Sequence, residues 1–322
     1  MIKMKAIVFG STGFIGSHTV EQLILKGHKV TAVVRPHSNV AFLQSLDVRV
    51  VEIDYSDTAS IKEEIEGHEV VYNCIGSVGL RSKIDLENAV EIDLTKKLVR
   101  VASLSGANRF IQLSSIVVYD FHSSEPLDES YCIKPQYLIQ QLLLKREEIV
   151  RKIGEETGIT TIILRPASAI GRRDYTSFFS RLFQQHMNDQ FPLLKNGETK
   201  VSLVDTRDVG RAMEWLGNYP FPKGSMNLFL LKGFDTTWKS LKEEIDYERG
   251  IEVTICDLSN IVEDPVSYTL NTFRTHRVWN DEKIRKLGFT TKYSQRESVK
   301  DAVQDFRDRE RIGPREFIDV LS

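Results

Sequence analysis

Gly10-Ser11-Thr12-Gly13-Phe14-Ile15-Gly16 stands between an apolar strand-like run, Lys5 to Phe9, and a stretch of helical periodicity from Phe14 to Leu25. Glycine at positions 10, 13 and 16 permits a tight turn, close approach of the backbone to a bound group, and close packing of helix on strand. N–H groups at the start of such a helix hold an anion, so the segment is expected to cradle the diphosphate of a dinucleotide. A glycine-rich turn without a ligand is the alternative, and the surrounding sequence argues against it.

Further strand and helix signals alternate downstream. Strands are expected at Lys29 to Val34, Val48 to Ile53, Val70 to Cys74, Arg109 to Leu113 and Ile159 to Leu164. Helical stretches lie between them near Val40 to Ser45, Ser60 to Glu66, Leu86 to Leu104 and Tyr137 to Glu156. This rhythm predicts an α/β chain, a Rossmann-type doubly wound parallel sheet with right-handed crossovers. It weakens after Pro166. Residues 1–165 are therefore read as the nucleotide-binding domain and 166–322 as a smaller C-terminal α/β lobe, leaving open whether later segments return to the first unit. Helices are expected at 206–217 and 295–309, and Ile312 to Ser322 reads as a tail or a docking strand.

Composition narrows the function classes. With 43 basic and 45 acidic residues the net charge is −2, which gives no bulk attraction to nucleic acid. Cys74, Cys132 and Cys256 are odd in number and far apart, so neither a disulfide framework nor a metal cluster is indicated, and a reducing compartment is. No apolar run approaches the roughly 20 residues of a membrane span, and the first residues lack a signal-peptide layout. These features point to the cytoplasm, with a small molecule rather than a membrane as partner.

An acidic residue at the end of the second strand would favour NAD(H) by pairing with the ribose hydroxyls. Arg35 stands there instead. Its forked guanidinium suits a 2′-phosphate, so NADP(H) is expected over NAD(H), with Ser38 and Asn39 close by; a solvated surface arginine is the alternative. Asp54, after the third strand, is read either as a partner of the adenine amino group or as a loop cap.

Several later blocks fall in order: Asn73-Cys74-Ile75-Gly76, Leu113-Ser114-Ser115-Ile116-Val117-Val118-Tyr119, Leu164-Arg165-Pro166, Val204-Asp205-Thr206-Arg207-Asp208-Val209 and Lys286-Leu287-Gly288-Phe289. Together with the glycine turn they resemble the extended short-chain dehydrogenase/reductase family, which includes NAD-dependent epimerases, dehydratases and related reductases. The resemblance implies a Rossmann-type cofactor domain under a smaller substrate lobe. It places Asn73, Cys74, Ile75 and Gly76 along the adenosine and pyrophosphate, brings Pro166 and Ser168 toward the nicotinamide, and implies a homodimer through two helices of the cofactor lobe.

It also implies a tyrosine and a lysine four residues apart on the long helix, one turn of separation, with a serine nearby to fix the substrate oxygen. Ser115 fits the serine. Counting forward places the tyrosine at Tyr137, whose partner is then the neutral Gln141. Counting back from Arg165-Pro166, with Glu147 as the helix glutamate, places the pair at Ile139 and Leu143. Neither register supplies a lysine. Lys145 lies eight residues beyond Tyr137, about 12 Å along a helix axis, and Tyr131 and Lys134 precede the helix-breaking Pro135. The chain thus resembles an atypical member without the intact pair, and Tyr137 is expected to serve reduction better than oxidation.

Glu91 stands where the family commonly has asparagine, and Arg172, Arg173 and Arg207 are candidates for an anionic substrate group or for surface pairing. Phe178, Phe179 and Phe183 are expected to pack in a core. The leading reading is an NADP(H)-dependent oxidoreductase or epimerase/dehydratase-like enzyme acting on a small polar or anionic metabolite. The alternative is a catalytically impaired NADP(H)-binding sensor or regulatory protein.

Overall fold

The computed structural model describes residues 3–76, 85–86, 89–123, 125–260 and 268–312. The first elements in chain order are β1 (Lys5–Phe9), α1 (Phe14–Leu25), β2 (Lys29–Val34), α2 (Ala41–Gln44), β3 (Arg49–Glu52), α3 (Thr58–Ile65), β4 (Val70–Asn73), α4 (Val90–Leu104), β5 (Arg109–Leu113), α5 (Leu138–Thr157) and β6 (Thr160–Pro166). There follow β7 (Ser168–Ile170), α6 (Phe178–Met187), β8 (Gln190–Leu193), β9 (Lys200–Asp205), α7 (Thr206–Asn218), β10 (Met226–Leu231), β11 (Phe234–Thr237), α8 (Trp238–Arg249), β12 (Thr254–Asp257), α9 (Tyr268–Arg274), α10 (Glu282–Lys286) and α11 (Gln295–Ile312). The expected tail after Ile312 lies outside the described residues.

Seven strands form one parallel sheet in the order β10-β6-β5-β4-β1-β2-β3. The order reverses between β1 and β4, which opens a crevice at the carbonyl ends of those two strands. Helices cover both faces, so the central strands are apolar throughout: Ala6 to Phe9 of β1 are fully buried. Val8, Val20, Leu23, Ala212 and Leu216 join α1 and α7 to one face. Ile7, Phe9, Leu98, Val150 and Ile163 join α4 and α5 to the other.

Six of the seven strands follow the sequence pattern. The seventh, β10, comes from beyond Pro166 and pairs with β6 from Met226↔Thr161 to Leu231↔Pro166. The chain therefore leaves the large sheet after β6, builds β7 and β9 outside it, and returns through α7 and β10. A three-stranded sheet β11-β9-β7 and the pair β12-β8 make the smaller lobe. Its core holds Phe179, Phe183, Phe191, Trp238 and Phe273. Phe178 and Phe179 pack edge-on at 5.4 Å and Phe183 stacks on Phe306 at 5.2 Å, so these phenylalanines fill a core as their spacing predicts.

Candidate functional site

The glycine turn sits at the crevice. Gly10 follows β1 with φ of 79°, a conformation that disfavours any side chain. A Cβ there would also stand 2.9 Å from the carbonyl carbon of Cys74 and from Ile75 N. At Gly16 a Cβ would fall far inside contact distance of the Gly10 carbonyl oxygen. The turn closes by Gly13 N–H donating to Gly10 O at 3.0 Å, and buried Ser11 anchors it by donating its hydroxyl to Val8 O at 2.7 Å. Gly13 is the N-cap of α1 and brings no side-chain cap. Thr12 is exposed, while Phe14 and Ile15 are half-buried at the helix start.

Arg35 follows β2, exposed, and among the described residues it forms no ion pair. Its carbonyl accepts from Ser38 N–H at 3.1 Å, folding the loop back, while Asn39 Oδ1 accepts from Ala41 N–H at 3.1 Å just before α2. Asp54 is exposed and accepts from Ser56 N–H at 2.9 Å, a loop cap in the structure. Lys97 of α4 holds the same loop through the carbonyls of Tyr55 and Ser56 at 2.9 and 3.2 Å. Tyr55, which the sequence reading passed over, lies 6.1 Å ring to ring from Phe9. Burial pushes its phenol up to about 12, against a hydrogen bond from the Gly10 backbone and the charge of Arg35.

Asn73 is fully buried at the end of β4, donating to Gln112 Oε1 at 2.9 Å and accepting from Ile75 N–H at 3.2 Å. Cys74 packs behind Gly16, and burial pushes its thiol up to about 12, which makes it inert at neutral pH. Ile75 is half-buried and Gly76 exposed. Pro166 ends β6, and Ser168 opens β7 in register with Leu203, so the two residues mark the passage from the large sheet to the small one.

Ser115 follows β5 and caps a short 3-10 turn, its hydroxyl accepting from Val117 N–H at 3.1 Å. Tyr137 is the N-cap of α5 with extended backbone, so it precedes the helix and Gln141 is exposed rather than beneath it. The Tyr137 hydroxyl accepts from Asn271 Nδ2 at 2.7 Å, and its ring meets Phe121 and Tyr268 edge-on at 6.0 and 5.4 Å. Ile139 is buried against Leu142 and Ala89, and Leu143 packs on the same cluster. Glu147 is buried, accepting from Arg165 Nε and Nη2 at 2.9 and 2.6 Å and from Ser114 Oγ at 2.6 Å. Lys145 pairs with Glu148 on the exposed side of α5, and Tyr131 and Lys134 lie in loop, bonded to Asp120.

Arg277 of the smaller lobe, another residue the sequence did not single out, donates to the carbonyls of Asp120 at 2.5 Å and Tyr119 at 3.1 Å. Its guanidinium lies between the rings of Phe121 and Trp279, at 4.4 and 4.6 Å, and so ties that lobe to the loop after Ser115.

The arginines considered for an anionic substrate group are committed elsewhere or exposed. Arg173 donates to Ser17 Oγ, His18 Nδ1 and Glu21 Oε2 at 3.2, 2.7 and 2.6 Å and lies over the ring of Phe42. Arg207 is held by Asp205 and Asp301 and lies over the ring of Tyr293. Arg172 is exposed. Glu91 is half-buried in the first turn of α4, its carbonyl accepting from Thr95 Oγ1 at 2.7 Å.

The Arg173 cluster has a pH signature. His18 is buried, its Nε2 facing Arg172 O at 3.0 Å while Nδ1 accepts from Arg173. Burial lowers its pKa; Glu21 opposes this and Arg173 adds to it. Burial raises Glu21, but the hydrogen bond from Arg173 and the charge of that guanidinium outweigh it and hold the carboxyl down to about 2. Since the folded pKa of His18 lies below the unfolded value near 6.5, its contribution to stability is present above that pH and lost as pH falls through the folded value. Denaturant titrations at pH 7.5 and pH 5 should show a larger loss for wild type than for His18→Asn. Equal losses would contradict the assignment of a neutral, buried ring.

Among the described residues no helix is long and apolar enough to cross a membrane, and no cluster of three metal-ligating side chains occurs. A family model for the NAD dependent epimerase/dehydratase family matches residues 6–228. Sterol demethylase protein B of Methylococcus capsulatus is 26% identical over 179 residues, 53% of this chain and 53% of its own length. The mitochondrial NADH-ubiquinone oxidoreductase 40 kDa subunit of Neurospora crassa is 28% identical over 214 residues, 65% of this chain and 51% of its own. The matches thus span about half the length of these relatives. UDP-glucuronic acid 4-epimerase from Bacillus cereus, solved with UDP-glucuronic acid and NAD, superposes with a TM-score of 0.80 at 19% identity, covering 95% of this chain and 100% of that one. The family match runs from the first strand of the large sheet into the strand that completes it, taking in the glycine turn and the ends of β4, β5 and β6; the chain belongs to the NAD dependent epimerase/dehydratase family.

Proposed function

We propose that this chain binds NADP(H) across the carbonyl ends of β1, β2 and β4 and acts as an oxidoreductase of the epimerase/dehydratase type on a small polar or anionic metabolite. The observation that carries the reading is the start of α1. Its N-cap has no side chain to occupy the first amide hydrogens, and those amides with the helix dipole favour an anion. Gly13 is exposed and carries no side chain, so a diphosphate can come close to the backbone at the helix start. These residues fit the group.

Arg35 would take the 2′-phosphate through a fork of N–H donors. Asp54 would reach the adenine, Asn73 to Gly76 would line the adenosine and diphosphate, and Pro166 and Ser168 would border the nicotinamide. A bound nicotinamide supplies hydride exchange with a substrate carbon. For the protein's part, Ser115 would fix the substrate oxygen and Tyr137 would give it a proton, its phenol located by Asn271. Neither Gln141 nor Leu143 brings a cation beneath that phenol, so proton donation in carbonyl reduction suits it better than proton abstraction. One observation favours the second reading, a nucleotide-binding regulator without turnover: the register set by the Glu147–Arg165 pair leaves Ile139 and Leu143 in the places of the tyrosine and lysine. Sustained NADPH oxidation with carbonyl metabolites separates the two.

Titration of NADPH and NADH into wild type and Arg35→Ala tests the cofactor assignment. Wild type should prefer NADPH by about tenfold or more, the equivalent of one charge-assisted contact, and Arg35→Ala should lose that factor by weakening NADPH alone. Equal affinities in wild type, or a preference that survives the substitution, would remove Arg35 from the reading. Binding of neither dinucleotide would overturn it.

A further inference from the structure

Arg146 is an unexpected residue to find in the interior of α5. It is 2% exposed, and its neighbours toward the sheet on that helix, Leu142, Val150 and Ile153, are apolar. Taking a guanidinium out of water is costly, and an apolar side chain of similar volume would serve packing better. Its hydrogen bonds go to neutral oxygens: Nε donates to Thr95 Oγ1 at 2.8 Å and Nη2 donates to Ile75 O at 2.6 Å. Burial brings its pKa down to about 10, with the charges of Glu91 and Glu147 opposing, so the group stays charged at neutral pH.

The bond to Ile75 is the informative one. Gly10 rests against the peptide that joins Cys74 to Ile75, where a Cβ would already collide. Ile75 N–H is held from one side by Asn73 Oδ1 at 3.2 Å, and Ile75 O from the other by Arg146. Both side chains are buried and meet at Thr95, whose own hydroxyl donates to Glu91 O at 2.7 Å. Ile75 is thus held from the sheet interior at its N–H, which belongs to the peptide walling the glycine turn, and at its C=O, which belongs to the peptide that follows.

We infer that Arg146 is a positioning residue for the dinucleotide: it fixes the end of β4 against the Gly10 turn and so sets the width of the cradle. The inference rests on the dinucleotide reading above and deepens it. The charge is kept inside the protein because a charge-assisted bond holds a carbonyl more firmly than a neutral donor does. Lysine reproduces the charge and one bond, and methionine reproduces only the length.

The test is the affinity for NADPH and NADH, by calorimetry, of wild type, Arg146→Lys, Arg146→Met and the packing control Val150→Ala, which removes volume from the same helix without touching the clamp. The expected pattern is a loss of about tenfold or more for both dinucleotides in Arg146→Met, partial recovery in Arg146→Lys, and unchanged affinity in Val150→Ala despite a lowered melting temperature. Wild-type affinity in folded Arg146→Met overturns the inference, as does an equal loss in Val150→Ala, which would assign the effect to general loosening. If Arg146→Met does not fold, Arg146→Lys decides: affinity equal to wild type supports the clamp if an Arg146→Gln variant that folds loses it, and undiminished affinity in both overturns it. Failure of wild type itself to bind either dinucleotide is a distinct outcome and strikes the functional reading instead.

Discussion

Gly16→Ala is expected to abolish dinucleotide binding and to cost the protein about 3 kcal/mol or more of stability, at the upper end of what overpacking costs. The methyl group would be driven into the Gly10 carbonyl oxygen, with the Gly10 carbonyl carbon 2.9 Å and Cys74 Cβ 3.3 Å away. No flexible side chain stands at the closest point to give way, so relief must come from backbone. Either α1 lifts from β1 or the turn opens, and both displace the amide hydrogens that follow Gly13. Denaturant unfolding and NADPH titration on the same preparation check the two halves. An affinity within threefold of wild type would show that the close approach of helix to turn has no bearing on binding.

The second large effect is expected at Arg165→Met. Arg165 and Glu147 are 3% and 0% exposed at their side chains and 2.6 Å apart. Removing one partner leaves the other charge buried and uncompensated, which costs about 3–5 kcal/mol. Arg165 also donates to the Tyr119 hydroxyl at 2.9 Å, which in turn donates to Asp128 O at 2.8 Å, so the damage should spread to the loop after Ser115. Replacing both members, Arg165→Met with Glu147→Met, should restore much of the loss because neither member's charge is left without the other. A cost below about 1 kcal/mol for the single substitution, or no recovery in the double one, would show that the pair is solvated on the time average.

Much of the large sheet was legible because a parallel strand buried on both faces announces itself as a continuous apolar run, and the glycines at 10, 13 and 16 mark the turn by what they lack. β10 was not legible. It follows a lobe of irregular rhythm, and nothing local distinguishes Met226 to Leu231 from any other short apolar run; its place is set by β6, some sixty residues earlier. The helix start at Leu138 was misplaced by one residue, which moved Tyr137 from a helix face to a cap. That difference alone removes the four-residue geometry with Gln141.

Arg173 and Arg207 looked like anion ligands because a sequence shows charge and not partners; their carboxylates, Glu21, Asp205 and Asp301, come from helices or strands separated in the chain or facing away in the pattern. Arg146 did leave a trace, a cation within the apolar stripe Leu142, Val150, Ile153 of one helix, but a search for lysine four residues after tyrosine passes over it. Arg277 and Asn271 left none, since their meaning lies entirely in which loop the smaller lobe is pressed against.

The return of the chain through α7 and β10 has a consequence for how the protein can be divided. Residue 210 has no side chain because α7 crosses α1 there, a Cβ falling 2.6 Å from the carbonyl oxygen of His18, and β10 occupies the outer margin of the sheet beside β6. The nucleotide half is therefore not a self-sufficient cassette that ends at Pro166. Cut there, it would carry a bare sheet margin and an uncovered helix, and any graft or gene fusion that means to keep the fold has to carry the stretch through Leu231 along with it.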